Sequence, residues 1–227
     1  DQLKIVDYNT GDTDPTQYFR PSQNTLHLNF NRDNDYGLKN PRGPYFTFFH
    51  EVGHGIDDVS RPEEGKFLWF KYRDDQEYQL EYRNRDGETL YDVTKKDVEY
   101  NLEKTIHEVA KDINVWVSKD DVEYLKDAFV RGDTIEIGNP ELVKIYKKIE
   151  NKYKQNLRGD LTSSVSDVYG GITNNKIEGK WGHRQKNYWY DSAGHPTKAQ
   201  SSELFAHLFA TSMVNNKDKE EITREYF

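Results

Sequence analysis

Apolar and polar positions along the chain separate into short alternating runs near the start and longer helical patterns after them. Leu26, Leu28 and Phe30 alternate with Thr25, His27 and Asn29. This predicts a strand, "TLHLNF", with one buried and one polar face, His27 lying on the polar side. "LKIVDY" predicts a second strand, set apart by the turn-rich "NTGDTDPTQ". "NPRGPY" then breaks the chain, and Pro44 suits the first turn of a helix running to about Asp58. In it Phe46, Phe48, Phe49 and Val52 supply the buried sides, and Gly53 permits close packing.

From Lys66 to Val93 a tyrosine-rich alternation around "NRDGET" predicts a hairpin or small sheet. Helices come next, with Thr94 as the cap of "KKDVEYNLEKTIHEVAKDINVWV" and Ser118 as the cap of "KDDVEYLKDAF". Asn139 with Pro140 opens "ELVKIYKKIENKYKQ". Residues of about 60–158 thus read as a charged, mostly helical insertion. After the glycine-rich "DVYGGITNNKIEGKWGH", Thr197 begins a helix carrying "SSELFAHLFATSM", and a last charged helix starts near Lys217.

Charged residues make up 32% of the 227 positions and apolar ones 34%, which predicts a wet, heavily charged surface over an aromatic-rich core. The net charge of −8 argues against nucleic acid and anionic membrane as partners, both of which attract basic surfaces. No apolar run approaches the ~18 residues of a membrane span. There is no cysteine, so any metal must be held by His, Asp or Glu, and the compartment stays undecided. A start at Asp1 without methionine and an abrupt end at "REYF" read as an excised or processed domain.

"YFTFFHEVGHGIDD" carries the chemistry. His50 and His54 are four apart, so a helix stacks them on one face with the spacing two imidazoles need to grip one metal ion. Glu51, between them, suits the general base that takes a proton from the attacking water and passes it to the leaving amine. A catalytic zinc needs a third protein ligand and an open fourth position. "SSELFAHLFA" offers Glu203 and His207 one turn apart on an otherwise apolar helix, a pattern that suits a ligand and its supporting partner.

Taken together, "FFHEVGHGIDD" and "ELFAHLFA" resemble the gluzincin-type catalytic domain of anthrax lethal factor and its relatives. The order "NTLHLNF…NPRGPYFTFFHEVGHGID…GGITNNKIEGKWGH…YW…ELFAHLFA…EYF" resembles more closely the zincin-like domains that end phage minor head (minor capsid) proteins of Gram-positive bacteria. The resemblance covers residues of about 20–58 and 160–227. It implies one α+β zincin-like domain over residues 1–227, with a small twisted sheet packed on the HExxH and glutamate helices and the charged insertion between them. It further implies Zn2+ held by His50, His54 and Glu203, with Glu51 as base. Asp57 corresponds to the acid that orients the histidines. The position of His207 is usually acidic in lethal-factor-like proteins and lies behind the ligands, so histidine there leaves His207 and Glu203 as alternative ligands, Glu203 being favoured.

Zincins often place a Tyr or His between the ligands in sequence to stabilise the oxyanion. His183, Tyr188 and Tyr190 in "WGHRQKNYWYD" are the candidates, His183 and Tyr190 foremost. His107 in a charged helix and His195 before Pro196 read as surface residues. Were "TLHLNF" the edge beside the cleft, an extended peptide would add to it through main-chain hydrogen bonds.

Two functions stand as expectations. One is a zinc metalloendopeptidase acting on a peptide or protein, as a phage-associated protease or a toxin-like effector. The other is a minor capsid domain, with capsid proteins as partners, that keeps a zincin fold with little or no proteolysis. The location implied is a phage virion or secretion from a Gram-positive bacterium.

Overall fold

The computed structural model describes residues 4–7, 18–28, 41–59, 85–135, 138–180, 182–185 and 187–227. Among them the chain is mostly helical, with one small sheet, an α+β composition. It divides into two compact units, the first formed by Asp1–Leu90 with Ser201–Glu221 and the second by Tyr91–Gln200 with Ile222–Phe227.

In the first unit, β1 (Lys4–Asp7), β2 (Tyr18–Arg20) and β3 (Thr25–Leu28) form a sheet of order β1-β3-β2. β1 runs parallel to β3, with Lys4 opposite Thr25. β2 runs antiparallel to it, with Tyr18 opposite His27. β3 is therefore the central strand and not an edge, so a peptide cannot add to it. Its expected polar face is absent as well, because Thr25, Leu26, His27 and Leu28 are all buried. Strands flank β3 on both sides, and the Tyr18 ring lies 4.4 Å from the His27 ring at 14°. That cover keeps solvent from His27. Asn29 and Phe30, the end of the predicted strand, lie outside the described residues, as do residues 60–84, which include most of the predicted hairpin.

Helix α1 (Phe46–Val59) packs against β2 and β3. It starts two residues later than Pro44 suggests. Tyr45 sits at φ +60°, a left-handed conformation that no helix can run through, and its carbonyl accepts the Phe49 N–H at 3.0 Å as the first helical bond. Helix α6 (Lys198–Met213) is the second main helix of this unit, most of its length falling within it. Phe46 of α1 packs with Ala210 of α6 and Val214 just beyond, in a small apolar cluster edged by Phe49.

The second unit has its own core, built by α2 (Leu90–Asp112), α3 (Lys119–Arg131), α4 (Pro140–Asn156) and α5 (Ser163–Ile172), with Ile222 and Tyr226 of α7 (Lys217–Tyr226) and Phe227 just beyond it packed on it. Ser118 caps α3 as expected: Asp121 N–H donates to its Oγ at 3.1 Å, and Ser118 N–H donates back to the Asp121 carboxylate at 2.9 Å. Asn139 caps α4 by accepting the Glu141 N–H at 3.0 Å, ahead of Pro140.

Three expectations fail here. Thr94 is not a cap, because α2 begins at Leu90 and Thr94 lies inside it, on the buried stripe with Val98, Leu102 and Ile106. The end of the predicted hairpin, Leu90–Val93, is helical for the same reason, while residues 85–87 form a turn with Gly87 at φ +79°. Nor does α2 reach Val117. Asn114 at φ +56° closes it after Asp112, Val115 N–H donating back to the Ala110 carbonyl at 2.8 Å. The serine- and glycine-rich run before Thr173 forms α5, a helix the sequence does not announce. No helix among the described residues is long and apolar enough to cross a membrane.

Candidate metal centre

His50 and His54 stand one turn apart on α1, and the position between them that faces α6 is Gly53. A Cβ at Gly53 would lie 2.8 Å from the Ala206 Cα, so the two backbones touch where the helices meet. That contact brings Glu203, one turn before Ala206, onto the two histidines. Their Nε2 atoms are 3.1 Å apart. Glu203 Oε2 lies 3.2 Å from His50 Nε2 and 3.4 Å from His54 Nε2. Ligands about 2.05 Å from a tetrahedral zinc are separated by about 3.3 Å, so three sides of such a tetrahedron are already laid out by the side chains. The donor set is one that zinc accepts, and it supplies three protein ligands, the number a catalytic zinc takes.

Burial and charge inside this triangle agree with its use by a cation. Glu203 is 4% exposed. Burial opposes its ionisation, yet His54 and His50 hold its carboxyl well below the usual range. Burial pushes His50 down to about 3, with His207 adding to the shift. Burial also opposes charge on His54, but Glu203 chiefly, then Glu51 and Asp57, raise it to about 9. Glu203 thus favours the protonated form of His54. A divalent cation replaces that proton and satisfies all three donors at once.

The remaining predicted residues of the first unit surround this group. Glu51 Oε2 accepts the Phe19 N–H of β2 at 2.9 Å, so the sheet positions the carboxylate from its main chain. Asp57 is buried and acts on His54 through its charge. The His207 ring centre lies 4.4 Å from that of His50, and Phe46 lies 6.3 Å from the same ring. Phe46 in turn carries two cations, Lys219 at 4.4 Å and Arg42 at 5.1 Å from its centre. Lys219 is fully buried, which pushes its amine down to about 7, with Arg42 contributing.

His183 and Tyr190 belong to the second unit. There His183 Nδ1 meets both carboxylate oxygens of the buried Asp167, at 3.0 and 3.1 Å, and its ring stacks on Tyr188 at 4.2 Å. The Tyr190 hydroxyl donates to the Ile172 carbonyl at 2.9 Å. His107 and His195 are exposed, and His195 pairs with Asp191 at 3.2 Å. Sequence reasoning missed two contacts: the Phe19 N–H on Glu51, and Ser202, whose Oγ lies 3.0 Å from His54 Nδ1. The first is main chain and leaves no residue signal. The second was visible only as a serine beside Glu203.

The chain matches no family model, no curated protein and no solved structure.

Proposed function

We propose that this chain is a zinc-dependent metalloendopeptidase of zincin-like fold, with His50, His54 and Glu203 as ligands and Glu51 as general base. The observation that carries the reading is the 3.1–3.4 Å triangle of two imidazole nitrogens and one carboxylate oxygen, with the HExxH glutamate on the same helix. Zinc held there supplies a Lewis acid that polarises the scissile carbonyl and brings the pKa of water toward ~7. Glu51 takes the proton of the attacking water and returns it to the departing amine. The Phe19 N–H keeps the Glu51 carboxylate aimed during that exchange, and Asp57 and His207 support the ligands.

Glu51→Gln tests the reading. The variant keeps about one zinc per chain by elemental analysis and loses at least ~100-fold in cleavage of a casein-type protein substrate, the scale of a lost general base. Cleavage that survives the substitution refutes the mechanism. Zinc binding without cleavage in the wild type favours the rival reading, a phage minor capsid domain in which the metal only stabilises the fold.

A further inference from the structure

His54 is gripped at both ring nitrogens by two adjacent residues of α6. Its Nε2 faces Glu203 Oε2 at 3.4 Å, and its Nδ1 lies 3.0 Å from Ser202 Oγ. His50 is held differently, since its Nδ1 is buried without a hydrogen-bond partner. We propose that Ser202 is a positioning residue for the metal centre: its hydroxyl accepts the His54 Nδ1–H and fixes the tautomer that presents the Nε2 lone pair to the cation. The inference rests on the zinc reading above.

The reasoning is chemical. A neutral imidazole offers a lone pair at only one nitrogen, and the partner of the other nitrogen decides which. Were Nδ1 to face an apolar group, its hydrogen bond would be lost on desolvation, and either tautomer or a rotated ring would compete. Ser202 removes that choice. Because it precedes Glu203 directly, the backbone that sets the carboxylate also sets the acceptor for His54, so ligand and orienter move as one. Asp57, the acid expected from the sequence to orient the histidines, acts on His54 through charge, while the Nδ1 contact belongs to a neutral hydroxyl. With Nδ1–H donated to the hydroxyl, the Nε2 lone pair is the one left to bind a cation.

Ser202→Ala and Ser202→Thr distinguish this from a packing role. Zinc affinity is measured by competition with a chromophoric chelator, and metal-free thermal stability is tracked in parallel. Ser202→Ala weakens zinc binding roughly 10- to 100-fold, the loss usual for removing such a support. Ser202→Thr, which keeps the hydroxyl, stays within about threefold of the wild type, because the acceptor that orients the ring is retained. In the zinc-loaded wild type, long-range 1H–15N spectra show His54 protonated at Nδ1, an assignment that stands even if Ser202→Ala folds poorly. Equal zinc affinity in Ser202→Ala and wild type overturns the proposal, as does zinc bound to His54 through Nδ1. A wild type that takes no zinc overturns the metallopeptidase reading together with it, whereas zinc binding insensitive to Ser202→Ala overturns this proposal alone.

Discussion

Lys219 is a charged residue placed where charge is expensive. It is fully buried against the Phe46 face, with Arg42 nearby, and its amine falls from an ordinary value of 10.5 to about 7. The unfolded chain keeps the ordinary value, so between about 7 and 10.5 the unfolded state binds more protons than the folded one. Stability therefore rises with pH across that window, by up to about 1.4 kcal/mol per unit, and the stability present above 10.5 is lost as pH falls toward 7. Chemical denaturation of wild type and Lys219→Met at several pH values isolates this contribution. The wild type gains stability relative to the variant as pH rises from about 7 toward 10.5; parallel curves would show that Lys219 keeps its ordinary pKa in the fold.

Helix contacts place the chemistry. The closeness of α1 and α6 at Gly53 and Ala206 is what turns an HExxH helix and a glutamate helix into one centre. Gly53→Ala puts a methyl 2.8 Å from the Ala206 Cα, inside any real contact distance. The helices must separate, which costs about 1–3 kcal/mol of stability as overpacking does. A separation of even a few tenths of an ångström widens the donor triangle, so the same variant loses roughly tenfold or more in zinc affinity, as loss of ligand support does. Calorimetric titration with zinc checks the affinity and thermal unfolding the stability; an unchanged titration would show that the close approach does not set the site. Elsewhere the legible elements were those with caps or stripes: Ser118 and Asn139 mark their helix starts in the sequence because each side chain satisfies an exposed N–H. α5 was not legible, since all ten of its residues are buried and no polar face remains to create a period. Gly171 belongs there because the Trp189 ring lies 3.1 Å from where its Cβ would be.

At the scale of the whole chain, the proposed zinc site links metal binding to folding. The three donors are distant in sequence, His50 and His54 near one end and Glu203 near the other, so the unfolded chain offers no assembled site. Zinc at ~100 times its dissociation constant therefore adds about 2.7 kcal/mol to stability. The melting temperature of the wild type rises on zinc addition and falls back with a chelator. Glu203→Ala, left with two imidazoles, shows a much smaller rise. Equal rises in wild type and Glu203→Ala would place the bound zinc elsewhere.

Residue order alone was enough for features that rest on local chemistry. The spacing of His50, Glu51 and His54, the acid and histidine of "SSELFAHLFA", the caps at Ser118 and Asn139 and the strand character of β3 all depend on residues within a few positions of one another. Features that depend on distant partners emerged only on folding. β3 became a central strand with His27 buried, because Tyr18 and β1 arrived beside it. Thr94 became a core residue, because α2 presents that face to the second unit's interior. Ser202 came within 3.0 Å of His54 Nδ1 across 148 positions of chain. Spacing along a helix can say that two imidazoles face the same way. Which oxygen meets them, and what holds each ring in place, is settled by the packing of one backbone on another.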